Sequence, residues 1–298
     1  MYKKVEEYLN SLKDQLTGCD PAIVQDALSD AEEYLRNALQ QAGNVDEGEA
    51  LSAIVDKFGS PEEVASGYRA RERCSPQTPV PPVSFEPKRS SISRFFGVFA
   101  DPKSWTALAY MLLALGTGIF YFVWVITGFS VSAGLIVLVI GLPFLALFLL
   151  SIRLISFVEG IVVEAMLGTR MPHRPRFFGK SKGTWQKIKN LFAERTTWTG
   201  ILYGVMQLPL GIVYFTLCVT LLSVSFYLTA WPFSEFIFHT PAYFIIGDTR
   251  YQAANPLVPF LTVPLGILLF TVTLHISKAV GRLHGAWAKL MLVSKANE

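Results

Sequence analysis

Charge is what this sequence has little of. Asp, Glu, Lys and Arg make up 16% of its 298 residues, below the quarter usual for a soluble domain. The deficit is concentrated, for no charged residue falls between Lys103 and Arg153, Arg195 and Glu235, or Arg250 and Lys278. A membrane-spanning helix needs roughly 20 apolar residues. The first run holds two spans with a tight turn and the others hold one each, which predicts spans near 105–127, 133–152, 198–222 and 257–277. Cysteine is scarce too. Cys19, Cys74 and Cys218 have no paired spacing and read as reduced thiols. His173, His239, His275 and His284 have neither HExxH nor Cys/His spacing, which argues against a metal site. The polar start "MYKKVEEYLNSLKDQ" lacks the apolar core of a signal peptide. "GKS" at 179–181 is no phosphate loop, because Arg174 stands where the earlier glycine is needed and no strand leads into it. No Ser or Cys nucleophile has a recognisable setting. The expectation is a chain with no enzymatic activity, no cofactor and no metal.

What is there is repeated. "SWTALAYMLLALGTGIFYF" at 104–122 returns as "TWTGILYGVMQLPLGIVYF" at 197–215. Trp105 matches Trp198, Tyr110 matches Tyr203, Gly118 matches Gly211 and Tyr121 matches Tyr214, each at an offset of 93. One offset over so many positions reads as an internal duplication. "FVEGIVVEAML" at 157–167 aligns with "RLHGAWAKLML" at 282–292 at an offset of 125, setting Glu159 against His284 and Gly160 against Gly285. The extra residues of the second half fall in the loop at 230–256. Two-span repeats return to one side of the membrane, so the halves are parallel and related by an axis along its normal.

The first 75 residues carry 15 acidic and 8 basic side chains, a balance of −7 that leaves +10 for the remainder of a chain with overall charge +3. Apolar stripes led by Val5, Ile23 and Leu51 predict a small helical bundle. Its boundaries are marked by Asp20-Pro21, by Gly43, and by the capping-box pairs Asp46 with Glu49 and Ser60 with Glu63. Residues 74–90, rich in Pro and Ser, read as an extended tether.

Two resemblances follow. The order "YLNSLKDQL…DAEEYLRNAL…EALSAIVDKFGSPEEVASGYR", with "FGSPEEVA" at 58–65 its most specific part, resembles the HAAS-type signalling domain of bacterial membrane proteins. The resemblance implies a cytoplasmic regulatory module and a PadR-type regulator as partner. W-x4-Y, G-x2-Y-F, "GLP" at 141–143, Glu159 and "MLGTRMP" at 166–172 resemble the sensor domain of bacterial membrane proteins, which is also found joined to histidine kinases. Relatives commonly have Arg after that glutamate, where this chain has Gly160. The expected fold is all-α: a cytoplasmic bundle at 1–73, a linker at 74–94, and a four-span domain at 95–298 with membrane-surface helices and repeats at about 95–172 and 185–295.

Basic residues set the orientation. Lys88, Arg89, Arg94 and Lys103 precede the first span, eight Lys and Arg lie between the second and third, and Lys278, Arg282, Lys289 and Lys295 accompany the end of the fourth. All fall on one side, which puts both termini in the cytoplasm of a bacterial inner-membrane protein.

Several candidate sites follow. Glu159 and Glu164 lie either on the polar face of a surface helix or, for Glu159, in a buried functional pair with His284. The basic amphipathic stretch at 183–195, with Arg174, Arg176, Lys180, Lys182, Trp185, Lys187 and Lys189 in or near it, is either a positive-inside anchor or a site for anionic lipid. The loop at 231–256, with Trp231, Phe236, His239, Tyr243, Asp248 and Arg250, is either an aromatic belt or a sensing lid. The partners expected are membrane lipid and a cytoplasmic regulator or kinase system, with no direct nucleic acid; homo-oligomerisation stays open. The acidic head is expected to dock on the basic face made by residues 170–195 and the C-terminal tail. The functional reading is a membrane signalling protein that passes an envelope or bilayer stimulus through the head. Its rival is transport or lipid handling between the repeats. Reporters fused after residue 72 and near residue 180 should read as cytoplasmic and one near residue 245 as external. A cytoplasmic signal at 245 would overturn the orientation.

Overall fold

A computed structural model describes residues 4–42, 47–72, 91–136, 141–173, 192–238, 243–246, 249–252 and 259–293. The head comprises α1 (Val5–Gln15), α2 (Pro21–Ala42), α3 (Glu47–Phe58) and α4 (Pro61–Glu72). Tyr8, Leu12, Leu16, Leu35 and Leu51 are fully buried at its centre. The "FGSPEEVA" stretch makes its sharpest turn. Gly59 has φ +108° and accepts a 2.9 Å bond from Tyr8 Oη at its carbonyl. Ser60 and Glu63 then close a capping box, with Ser60 N donating to Glu63 Oε2 at 2.8 Å and Glu63 N to Ser60 Oγ at 3.3 Å. The bond from Ser60 N first, and then one from Ser60 Oγ to the same oxygen at 3.1 Å, hold the Glu63 carboxyl below its ordinary range. A depressed carboxylate contributes stability above its unfolded value, and that stability is lost as pH falls through the folded one. Asp20 caps α2 by accepting from Ala22 N at 2.9 Å. Gly43 and Asp46, the other expected boundary residues, lie outside the described residues. Cys218 is free and buried, whereas Cys19 is disulfide-bonded. That corrects the reading of all the cysteines as reduced thiols, since spacing along a chain is blind to a pair closed through space.

After α5 (Ser91–Phe96) and a 3-10 turn (Gly97–Ala100) come four long helices: α6 (Pro102–Ile136), α7 (Gly141–Leu167), α8 (Arg195–Phe238) and α9 (Thr262–Leu292). Each is long and apolar enough to cross a membrane. The packing is inverted relative to a water-soluble bundle. Phe226 is 75% exposed, while Glu159, Gln207, Thr271, Thr273, Ser277 and His284 are buried. Apolar side chains face outward where lipid solvates them, and polar groups turn inward because hydrocarbon offers no partner.

The helices outrun the expected spans. α7 continues unbroken to Leu167 and stops at Gly168, whose φ of +71° is the left-handed conformation of a helix C-terminus. Residues 157–167 therefore extend a span and form no separate surface helix, since nothing between 143 and 167 breaks the helix. β1 (Tyr243–Ile246) and β2 (Thr249–Gln252) form an antiparallel hairpin that pairs Phe244 with Tyr251 and Ile245 with Arg250. Apart from it the described elements are helical, as the all-α expectation has it; two short runs separated by Gly-Asp are a hairpin signature.

The duplication is visible as exchanged contacts. α6 and α8 cross backbone to backbone. A Cβ at Gly118 would lie 2.7 Å from the Gln207 carbonyl oxygen, and one at Gly211 would lie 2.3 Å from that of Ala114. Ala114 and Gln207 are themselves repeat equivalents, at the same offset of 93. Trp105 Nε1 donates to Phe99 O at 2.9 Å and Trp198 Nε1 to Phe192 O at 2.8 Å, again 93 apart on both sides. Two ion pairs interlock the halves. Lys278 on α9 pairs with Asp101 before α6, and Arg153 on α7 pairs with Glu194 before α8. Asp101 matches Glu194 at 93 and Arg153 matches Lys278 at 125, so each repeat gives its cation to the acid of the other. The hydrogen bond from Lys278 is the main reason the Asp101 carboxyl sits below its ordinary range.

Gly211→Ala should lower the unfolding temperature in detergent and raise the fraction misfolded. Gly116→Ala, with nothing within 4 Å of its added Cβ, should leave it unchanged. Equal melting of the two would refute the close crossing.

Candidate functional site: a buried tyrosine cage around Glu159 and His284

Glu159 and His284, each 1% exposed, meet at the centre of the four long helices. Tyr110 Oη donates to Glu159 Oε1 at 2.8 Å and Tyr203 Oη to the same oxygen at 2.9 Å. The same phenol oxygens lie 2.7 and 3.1 Å from His284 Nε2. Tyr121 Oη donates to Glu159 Oε2 at 2.6 Å, while Tyr214 Oη lies 3.4 Å from His284 Nδ1. Gln207 Nε2 donates to Tyr110 Oη at 3.2 Å, and the buried Gln207 Oε1 has no partner among the described residues.

Proton counting orders this network. Each phenol has one proton. With Tyr110 and Tyr203 both donating to Glu159, the contact to His284 requires Nε2 to carry a hydrogen and the phenol oxygens to accept it. In a neutral ring Nδ1 is then the acceptor for Tyr214. The tautomer is inferred from the network by this counting. Three phenols converge on the two oxygens of Glu159, the pattern of an acceptor-only carboxylate. Burial without such partners would cost several kcal/mol, on the order of the penalty for an unpaired polar group in apolar surroundings.

The cage is the duplication completed. Tyr110 and Tyr203 are equivalents and bridge both central groups. Tyr121 and Tyr214 are equivalents and each serves one. A symmetric shell of four tyrosines thus encloses an asymmetric centre, a carboxylate in one half and an imidazole in the other. Trp287 stacks on Tyr203 at 4.7 Å between ring centroids and closes one side. A cavity of about 10 Å³ adjoins Glu159, lined by Tyr121, Ser156 and Tyr203 among others.

The surface-helix alternative for Glu159 fails because its side chain is enclosed on every side, whereas Glu164 is only partly buried. Glu164 accepts from Met171 N at 3.1 Å and pairs with Arg170 at 3.5 Å and His173 Nε2 at 3.1 Å. The head meets this same segment. Buried Asp26 accepts from His173 N at 2.8 Å and lies 3.6 Å from Arg170, and Asp20 pairs with Lys289. Of the expected basic face, Arg170 and Lys289 are thus engaged with the head.

Arg174, Arg176, Lys180, Lys182, Trp185, Lys187 and Lys189 lie outside the described residues, as do His239 and Asp248. Trp231 sits in the last turns of α8, stacked on Tyr227 at 6.0 Å. Phe236 is helical, and Tyr243 and Arg250 belong to the hairpin. Sequence reasoning missed the four tyrosines and Gln207 as site residues, although the repeat motif contained all four tyrosines. The signal was polar identity kept at one offset inside apolar helices.

Comparison with protein families gives two matches. The family model described as Putative sensor covers residues 110–292, from the first cage tyrosine past His284, and the HAAS model covers residues 7–67. No curated protein and no solved structure matches the chain.

Tyr121→Phe removes a short bond to a carboxylate, worth roughly 1.5–3 kcal/mol, whereas Tyr214→Phe removes a long contact worth about 1 kcal/mol or less. Thermal unfolding should rank them in that order. Tyr121→Phe combined with Glu159→Gln should be less than additive. Equal losses with full additivity would refute the network.

Proposed function

This chain belongs to the sensor family and carries a HAAS domain ahead of the membrane helices, and from that premise we propose a signalling protein of the bacterial cytoplasmic membrane that relays the state of its bundle to a regulatory partner through the head. That it is a multi-pass membrane protein follows from its four spans and its sensor domain. A regulatory protein as partner follows from the HAAS domain in general terms. In the proposal both termini are cytoplasmic, the partner is a PadR-type regulator or a kinase system, and the chain catalyses no reaction.

One observation carries the relay. The two helices that bring Glu159 and His284 into the cage are the two whose ends hold the head. α7 leads through Glu164 and Gly168 to Arg170 and His173, which bind Asp26. α9 leads from His284 to Lys289, which binds Asp20. A shift of α7 against α9 that rearranges the cage moves the two anchors of the head relative to each other. One anchor is buried Asp26 with His173 N and Arg170; the other is the half-exposed pair of Asp20 with Lys289, worth about 0–1 kcal/mol as such pairs are. Such contacts release reversibly, and a stimulus need supply only a small difference in affinity between states. Docked and free heads would present different surfaces to the partner.

The test is a charge exchange. Asp20→Lys or Lys289→Asp alone should release the head, and the double exchange should restore docking. Cysteines at positions 20 and 289 should cross-link within one chain. The regulatory partner, captured from the native host by the full-length chain, should change its binding in step with release. Head docking that persists in both single charge reversals, read as unchanged hydrogen exchange of amides 20–27, or partner binding indifferent to all of them, would overturn the relay.

A further inference from the structure

We propose that the basic cavity between α6, α7 and α9 binds the phosphate of an anionic lipid headgroup, and that the bound phosphate competes with the head for Lys289. The cavity holds about 470 Å³ and is lined by Lys103, Lys278, Arg282 and Lys289, with Thr169 and Gly281 among its other walls. Gly281 lets the three helices close there, for a Cβ would lie 3.0 Å from Ala107 Cβ and 3.1 Å from Leu167 Cδ2. Among the described residues no carboxylate lines the cavity. At its edge Asp101 engages Lys278 and Asp20 engages Lys289. Lys103 and Arg282 have no acidic partner among the described residues. Four cations against two carboxylates leave an excess of two positive charges, which suits a phosphate monoester of about −1.5 to −2. Arg282 supplies a planar fork for phosphate oxygens, and the lysines supply point charges.

The duplication serves as an internal control. At the offsets of 93 and 125, Lys103 corresponds to Thr196, Arg282 to Phe157 and Lys289 to Glu164. Lys278 alone has a basic equivalent, Arg153, and that pair makes the interlocking bridges. The fold therefore calls for one of the four cations. Orientation does not account for the other three, because both repeats end on the same side of the membrane, where the rule for basic residues acts on each alike. The lipid source is favoured by position: the cavity opens among the ends of spanning helices, with Ala107, Leu167 and Ala286 in its wall, the setting in which basic pockets between spans take headgroups. Lys289 belongs both to the cavity and to the contact with Asp20, so a phosphate there draws on the same ammonium that holds the head. The competition rests on the relay proposed above, but the site does not.

Full-length protein in mild detergent should retain phosphatidic acid in native mass spectrometry and retain phosphatidylcholine far less. Lys103→Gln with Arg282→Gln should lower retention of phosphatidic acid about tenfold, or about 1.4 kcal/mol. Lys103→Arg with Arg282→Lys should preserve it, which separates loss of charge from loss of fold. Equal retention of the two lipids, or retention unaffected by the Gln pair, overturns the site. Inorganic phosphate that displaces phosphatidic acid at matching concentration keeps the site and overturns the lipid as its source. Hydrogen exchange of amides 20–27 should rise about tenfold on adding phosphatidic acid to wild type and stay unchanged in the Gln pair. Unchanged exchange in lipid-loaded wild type overturns the competition while leaving the site. Failure of the 20–289 cross-link in lipid-free protein identifies failure of the relay itself.

Discussion

A carboxylate in the middle of a membrane bundle must find its hydrogen bonds inside the protein, and Glu159 sets that requirement here. It cannot be met by one helix. α6 supplies Tyr110 and Tyr121, α8 supplies Tyr203, and α9 brings the imidazole that shares two of those phenols. Satisfying one group therefore fixes the relative positions of all four long helices. The close crossing of α6 and α8 at Gly118 and Gly211 makes this reach feasible, because it draws the two backbones near enough for tyrosines from both helices to meet one oxygen.

The duplication explains why the solution is economical and why it is uneven. A two-fold arrangement of tyrosines needs a centre that both halves can bind. Two carboxylates there would repel, and two imidazoles could not accept three phenol protons as one carboxylate does. Glutamate in one half and histidine in the other lets every phenol have a partner. The exchanged ion pairs Asp101 with Lys278 and Glu194 with Arg153 keep the older symmetry. The basic cavity departs from it, as does the docking of the head, which uses the ends of α7 and α9 in two different ways. Departures from symmetry in a duplicated fold are where the two halves have taken separate tasks.

Much of this fold was legible in the sequence. The charge-free runs fixed four spans because the bilayer core punishes charge regardless of tertiary detail. The capping boxes and the "FGSPEEVA" turn marked the head because caps act on neighbouring residues. Glu159 and His284 could be paired by alignment, as repeats under one architecture place equivalent residues about one axis. The tyrosines were equally aligned but looked like ordinary aromatic residues of a span, since composition does not say whether a phenol faces lipid or a carboxylate. The hairpin at 243–252 was outweighed by its aromatic content, although its turn signal was present.

The sequence by itself determined what is local or periodic: the number of long helices, the basic side, the duplication and the acidic head. These depend on solvation and chain geometry, which every residue experiences one at a time. Only the tertiary structure decided which polar groups share a centre, which cation answers which acid, and where the head rests. Those outcomes depend on distances between residues as far apart in the chain as Asp20 and Lys289 or Tyr110 and His284. Hydrogen bonds form only within a few ångström, and exposed charges are screened beyond about 8 Å, so only the folded arrangement can select among the pairs the sequence allows.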